Sequence, residues 1–392
     1  MSPMQPTLGL TTDEALASNT STPNPYAGKT GHLNFNVRRA EINPNHWYVA
    51  ALSSEVTRQP FSCIIWKQPI VLYRDSQGIV HGLDDYCPHR MVKLSHGAVV
   101  EDNIECAYHG WQFTGTGHCA SVPYLATNQK LPSCKIRHYP VQELDGFIWI
   151  FPGDPSLAAH LSPLGIPEWN HLNHIGSVAS FSCPGHFSYL IENLMDMHHG
   201  HLHQRYQAWA SAALNSIEEF GDRVIAHYQA QSYYQINQAW SVLQLFIPFL
   251  RRLHPEPLDV SYIYPHWSAR LGNDFKIYCL FCPEDETHTR AYLLHFTSLN
   301  SYTDLHRLPK WFRRFIKNRL FGTARWLLKG LISQDIQMIQ DEQAFFLRHP
   351  NQRGYELNRT LVFVQRLISR QASLSQSPLD PALDSMNSPQ IE

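Results

Sequence analysis

Four residues in the first third of the chain have the types and the spacing to hold iron. Cys87-Pro88-His89 supplies one cysteine and one histidine, sixteen residues follow, and Cys106-Ala107-Tyr108-His109 supplies another of each. Two thiolates and two imidazoles suit a [2Fe-2S] cluster in which cysteines hold one iron and histidines the other. Neutral imidazoles in place of thiolates raise the reduction potential. A structural zinc site draws on the same donors, but zinc modules usually pair like with like, whereas here each half of the pattern mixes the two. The pattern points to one-electron transfer.

A second concentration of ligands runs from Glu192 to His203, with four histidines and two carboxylates in twelve residues. With Phe187 to His203 read as one helix, Phe187, Leu190, Ile191, Leu194, Met195 and His198 form a core-facing stripe, and Glu192, Asp196, His199 and His203 share another face. Two histidines four apart on one face can chelate a metal. With one carboxylate and open positions they make the facial triad of non-haem Fe(II) chemistry. Helical periodicity over Arg325 to Leu347 sets Asp335 among Leu328, Leu331, Ile332, Ile336 and Ile339. A carboxylate on an apolar stripe is costly unless a cation offsets it, so Asp335 is the expected third ligand, with Glu342 as runner-up.

Together these motifs carry a resemblance. Cys-Pro-His-Arg at 87–90 and Cys-x-Tyr-His-Gly-Trp at 106–111 resemble the Rieske domains of oxygenases; respiratory versions carry an extra cysteine in each half, absent here. The chain as a whole resembles the catalytic α-type subunit of a Rieske non-haem iron oxygenase of the aromatic-ring-hydroxylating type. That family carries Asn-x-x-Asp-x-x-His-x4-His. Asn193, Asp196 and His199 match it, but the position five after His199 is Gln204, and His203 arrives one residue early. His199 with His203 is the preferred pair on the stripe argument, and His198 with His203 is the alternative. Gln334 to Ile339, with Gln343 beyond, is similar to the family's third-ligand helix.

The resemblance implies a [2Fe-2S] cluster, a mononuclear Fe(II), an external reductase or ferredoxin, O2, and hydroxylation or oxidative demethylation of a largely apolar organic substrate. It also implies a homotrimer in which Asp196 links His199 to His109 of the next subunit, with Asn193 beside it. The chain shows no nicotinamide or flavin fingerprint, which assigns NAD(P)H to a partner. A rival reading is an electron-transfer or redox-sensing protein whose second domain binds a ligand without oxidising it.

These residues need scaffolds to position them. At 392 residues the chain is expected to form two domains. Short β-type runs at His46 to Leu52, Ile70 to Tyr73, Ile79 to Leu83, Ile104 to Cys106 and Phe147 to Phe151, with a hairpin turn at Asp75 to Gly78, predict an all-β Rieske domain over 44–155. Pro152-Gly153-Asp154-Pro155 marks its end. Residues 156–370 form the second domain, for which the resemblance implies a helix-grip (START-like) fold, a curved antiparallel sheet with helices. The class is α+β. Strand-like aromatic runs from Val224 to Thr297, including Tyr233, Tyr234, Tyr262, Tyr264, Trp267 and Tyr278, fit that sheet. Residues 1–43 read as a flexible arm and 371–392 as a disordered tail.

Composition narrows the classes further. A net charge of -2 with 43% hydrophobic residues gives no bias toward nucleic acid. Eight cysteines in so long a chain are not a disulfide framework, and a reducing, cytoplasmic setting is expected; Cys63, Cys119, Cys134, Cys183, Cys279 and Cys282 read as incidental thiols. No apolar run reaches the ~18–20 residues of a membrane span; Trp240 to Leu250 is too short, and the N-terminal stretch lacks the parts of a secretory signal. Lys310 to Lys329 holds seven cations and no acid, interleaved with Trp311, Phe312, Phe315, Leu320 and Trp326. It reads as a solvated face, a ferredoxin dock or a peripheral membrane contact.

Overall fold

The computed structural model describes residues 36–375 except 127, 204–208, 233–252, 274, 299–307 and 353, with side chains for these except 313, 314 and 316–328. Residues 1–35 of the expected arm, 376–392 of the tail, Gln204, Tyr233, Tyr234 and Trp240 to Leu250 lie outside the described residues, as do the side chains of most of the basic 310–329 stretch.

The first half is built of three small antiparallel sheets. β1 (Tyr48–Leu52) pairs with β11 (Phe147–Ile150), which pairs with β10 (Val141–Leu144). A second sheet joins β2 (Phe61–Ile65), β3 (Gln68–Arg74), β4 (Val80–Asp84) and β9 (His138–Tyr139), and a third joins β5 (Ala98–Val100), β6 (Asn103–Glu105), β7 (Gln112–Phe113) and β8 (Cys119–Ser121). Strand alternation divides the interior. Ile70 and Leu72 of β3 enter the main core, whereas Val71 and Tyr73 point the other way, into a smaller core with Ile104, Phe113, Cys87 and Cys106. The paired cysteines thus sit in an apolar core of their own.

The second half is one seven-stranded antiparallel sheet. It comprises β12 (His174–Cys183), β13 (Trp209–Glu219), β14 (Arg223–Ser232), β15 (His254–Ile263), β16 (His266–Leu271), β17 (Phe275–Pro283) and β18 (Thr289–Ser298), in the order β12-β18-β17-β16-β15-β14-β13. One face packs on the first half: the His266 ring meets Trp149 at 5.2 Å and Tyr292 meets Phe147 at 5.5 Å. The opposite face packs on helices. Beyond the one-turn α1 (Pro155–Ala158), these are α2 (Phe187–Met195), α3 (Lys310–Arg348) and α4 (Arg359–Ser375). Ala179 of β12 packs with Ile332 of α3, and Tyr228 of β14 bonds to Thr360 of α4 at 3.0 Å.

Two expected boundaries shift. Residues 36–43, assigned to the flexible arm, are built into the core: Val37, Ala40, Ile42 and Asn43 are buried, and Arg38 pairs with Glu192 while lying over the Tyr189 ring. At the other end α4 continues to Ser375, with Gln371 and Ala372 buried. Apolar spacing alone did not reveal that polar residues on these margins have distant partners.

α2 is capped by an imidazole. Buried His186 accepts the Ser188 N–H at Nδ1 and donates from Nε2 to the Ala40 carbonyl at 3.0 Å, which fixes a neutral tautomer. His266 is used likewise, accepting the Phe281 N–H at 3.1 Å and donating to the Trp47 carbonyl at 3.1 Å. Burial pushes their pKa values down to about 4 and about 3, from an ordinary 6.5.

The unfolded chain takes up protons that these folded imidazoles refuse, so this contribution to stability is complete above about pH 6.5 and shrinks as pH falls toward 4. Denaturant unfolding at pH 7.5 and 5.0 should show a loss at the lower pH of about 2 kcal/mol for each histidine. In His266→Asn the pH dependence should be shallower by that amount; an unchanged slope refutes the assignment.

Candidate metal centres

The two halves of the Cys/His pattern fold as matched turns. In the first, the Cys87 N–H donates to the Val92 carbonyl at 2.8 Å and the Met91 N–H to the Cys87 carbonyl at 2.8 Å. In the second, the Cys106 N–H donates to Trp111 at 2.8 Å and the Gly110 N–H to Cys106 at 3.0 Å. Each turn needs a left-handed residue at its fifth position, Met91 at φ 55° and Gly110 at φ 67°. Gly110 is required twice over, since a Cβ there would stand 2.8 Å from Pro123.

These side chains fit a [2Fe-2S] cluster. Cys87 and Cys106 are each 1% exposed and adjacent; burial first, and then the neighbouring thiol, push the Cys87 pKa up to about 11. Two thiolates side by side in an apolar core call for a cation between them. The His89 and His109 rings stand 4.5 Å apart, His89 is stacked on Trp111 at 4.7 Å, and the buried His89 Nδ1 has no hydrogen-bond partner. An unpartnered ring nitrogen beside two buried thiols is a donor set awaiting a metal.

The second centre departs from the expected local structure. Phe187 to His203 is not one helix: α2 ends at Met195, and Met197–His203 is a 3-10 helix. Asp196 makes the break. Its N–H still closes on the Glu192 and Asn193 carbonyls, but its own backbone is extended at φ -94° and ψ 104°, and its carboxylate accepts the His198 N–H at 2.9 Å. An aspartate that caps the next turn competes with continuing the old one. The expected face of Glu192, Asp196, His199 and His203 is therefore not continuous, and Glu192 instead bonds Arg38 and Gln365.

His199 and His203 nevertheless meet, with ring centroids 5.1 Å apart and nearly perpendicular at 86°. Asp335 joins them from the far half of α3, and the ligand atoms of the three residues lie within 4.8 Å of one another. His199 Nδ1 is hydrogen-bonded to the Asp196 carbonyl, which leaves Nε2 bare for a metal. His203 lies 3.1 Å from Gln334 Oε1 at Nδ1 and 3.0 Å from Asp335 Oδ1 at Nε2. With the Gln334 oxygen at Nδ1, the ring donates there and Nε2 is left to share a proton or a metal ion with the Asp335 carboxylate. Burial opposes a proton on His203, but the Asp335 carboxylate outweighs it and holds the pKa above its ordinary value.

The remaining candidates stand outside this group. His198 is exposed and contributes its N–H to Asp196, and Glu342 offers its carbonyl to the Tyr189 hydroxyl at 3.3 Å. Asn193 reaches Asp335 at 3.4 Å, and its Oδ1 is buried without a partner. Two polar partners were not foreseen. Gln334 fixes the His203 ring, and Asn358 donates to the Asp196 carboxylate at 2.8 Å while accepting the Thr360 N–H that begins α4. Nothing local marks Asn358, which lies 162 residues from Asp196.

Comparison with known proteins gives matching results. The family model for the Rieske [2Fe-2S] domain matches residues 46–140. The chain is 30% identical over 363 residues to 4beta-methylsterol monooxygenase of Methylococcus capsulatus (strain ATCC 33009 / NCIMB 11132 / Bath), covering 89% of this chain and 95% of that protein. It is 37% identical over 173 residues to the oxygenase component of dicamba O-demethylase of Stenotrophomonas maltophilia, covering 43% of this chain and 49% of that one. The fold is similar to the crystal structure of dicamba monooxygenase bound to dicamba, with TM-score 0.67 at 22% identity over 86% of this chain and all of that chain.

If these are the ligands, fully loaded protein carries about three irons per chain, two in the cluster and one at the triad. His203→Ala should lower the count to about two and leave the visible absorption of the cluster intact, while Cys106→Ser should abolish that absorption. Metal analysis alongside optical spectra reads both; an iron count unaffected by His203→Ala refutes the triad.

Proposed function

The chain belongs to the Rieske non-haem iron oxygenases, and from that premise we propose that it hydroxylates or oxidatively demethylates a bulky, largely apolar molecule at His199, His203 and Asp335. One observation carries this reading: a two-histidine, one-carboxylate group within 4.8 Å, set between α3 and the sheet in a chain that also carries both cluster turns. When bound, the cluster supplies single electrons and the mononuclear iron supplies the activation of O2. Cys87, His89, Cys106 and His109 hold the cluster, the Asp196 carbonyl and Gln334 orient the two iron-binding imidazoles, and the apolar walls of the sheet exclude water.

Electrons come from a separate ferredoxin or reductase, as the name of the dicamba enzyme's oxygenase component suggests for that protein. The rim of the cluster favours docking, because Met91 and Tyr108 are 69% and 62% exposed beside the two imidazoles. The same rim suits a second copy of the chain, with Asp196 linking His199 to His109 of the neighbouring subunit in a homotrimer. The Asn358 bond to Asp196 supports that role by holding the carboxylate in one position.

The relative matched over nearly its whole length is named for a methylsterol, which favours a polycyclic skeleton as substrate. Access from a membrane surface fits the start of α3, where Trp311 and Phe315 are 72% and 60% exposed beside Lys310. No helix of the described residues is long and apolar enough to cross a membrane.

Turnover with a surrogate ferredoxin and reductase under 18O2, with 4-methylsterols as substrates, should place 18O in an alcohol or more oxidised product. Asp196→Asn should keep its iron yet lose about 10- to 100-fold in rate. NADH consumption without 18O in any product overturns the oxygenase assignment; a full-rate Asp196→Asn overturns the electron bridge.

A further inference from the structure

Cross-strand register defines what lines the helix-facing side of the large sheet. Tyr262, Trp267, Cys279, Leu293 and Ala179 form one row across β15, β16, β17, β18 and β12, and Val260, Ala269, Ile277, His295 and Ser177 form the next. Leu293 packs with Ile332 and Ile336 of α3, on either side of Asp335 in the helix. The second row therefore lies one strand repeat away, ~7 Å along β18.

Ser177 and His295 end that row as directly opposed residues of β12 and β18, close enough for their side chains to act on one group. Among the described residues neither has a hydrogen-bond partner. Ser177 is 1% exposed with its hydroxyl unpartnered. His295 touches the Phe275 ring at 4.3 Å, and no hydrogen bond to its imidazole is found among the described residues. His295 is half-buried, and burial pushes its pKa down to about 4. Register places it on the side of the sheet that carries Leu293, which packs on α3. Buried polar atoms without partners are uncommon and call for an explanation.

The charge around this pair is equally specific. Arg223, Arg270, Lys276 and Arg290 are the only lysines and arginines of β12 to β18, and strand alternation sends all four to the other face. There Arg270 meets Asp259, Lys276 meets Glu168 and Arg290 meets Glu284. A carboxylate brought to Ser177 and His295 finds no cation on the strands to offset its desolvation. A hydroxyl finds a donor and an acceptor in a neutral imidazole and both again in a serine.

We infer that Ser177 and His295 form the polar anchor of the substrate site and select a neutral, hydroxyl-bearing apolar molecule over an aryl carboxylate. The inference rests on the proposed oxygenase reading, since it takes the helix-facing side of the sheet beside Asp335 as one wall of the substrate site. The anchor holds one end of the molecule by its hydroxyl, while Ala269, Ile277 and Leu293 cover the skeleton. These are positioning residues, acting on where the substrate lies and not on its reacting atoms.

The test uses iron-loaded protein and equilibrium binding of a 4-methylsterol, its 3-O-methyl ether and vanillate. Wild type should bind the free alcohol about tenfold or more tightly than the ether, and vanillate more weakly than the alcohol. In Ser177→Ala and His295→Phe that preference should fall to within about twofold, with iron content and cluster spectrum unchanged. Ser177→Ala should not lower the melting temperature, because its hydroxyl makes no bond in the folded chain; a structural role predicts a loss. A preference retained in both variants, tighter binding of vanillate, or no binding of the alcohol overturns the anchor. Selective alcohol binding without 18O in any product leaves the anchor standing and removes the oxygenase reading instead, so the two failures are distinguishable.

Discussion

Asp196 bears on everything around the mononuclear centre because three of its groups do separate work. Its N–H closes α2, its carboxylate starts the 3-10 turn at His198, and its carbonyl holds the His199 ring. A regular helix through this point would have left the carboxylate pointing along the helix side and the carbonyl committed to an internal bond. The break frees both groups. Asn358 then ties the same carboxylate to the start of α4, so the position of His199 depends on a helix far away in sequence.

The large sheet separates two environments through the alternation of its strands. Residues such as His266 and Tyr292 face the cluster half, while Cys279, Leu293 and His295 face α3. Because successive side chains point to opposite faces, the same strands keep their lysines and arginines on one side and present a largely apolar wall on the other. The strands thereby add no lysine or arginine to the carboxylates of Asp335 and Asp196 around the triad. In low dielectric, that is where a carboxylate between two imidazoles matters most.

Histidine is used here in two ways, and burial with partners decides which. His186 and His266 have both ring nitrogens satisfied by backbone or serine, so they are structural and neutral. His89, His199 and His203 each leave a nitrogen unpartnered or facing a carboxylate. With 23 histidines in the chain, residue type alone would not have separated these groups.

The sequence by itself determined the donors and their grouping. Cys87, His89, Cys106 and His109 were legible because both turns are local, closing within six residues on their own backbone. The longer apolar strands β1, β3, β4 and β11, with β6, and the α3 periodicity were legible for the same reason, as was Asp335, a charge on an apolar stripe; β2 and the short strands β5, β7, β8, β9 and β10 were not. Only the tertiary structure decided that Asp196 would break the helix, that Gln334 and Asn358 would orient the site, and that Ser177 would oppose His295. The break at Asp196 is a local contest between two turns; the other outcomes depend on register and packing between segments more than 100 residues apart, which no local pattern of residues encodes.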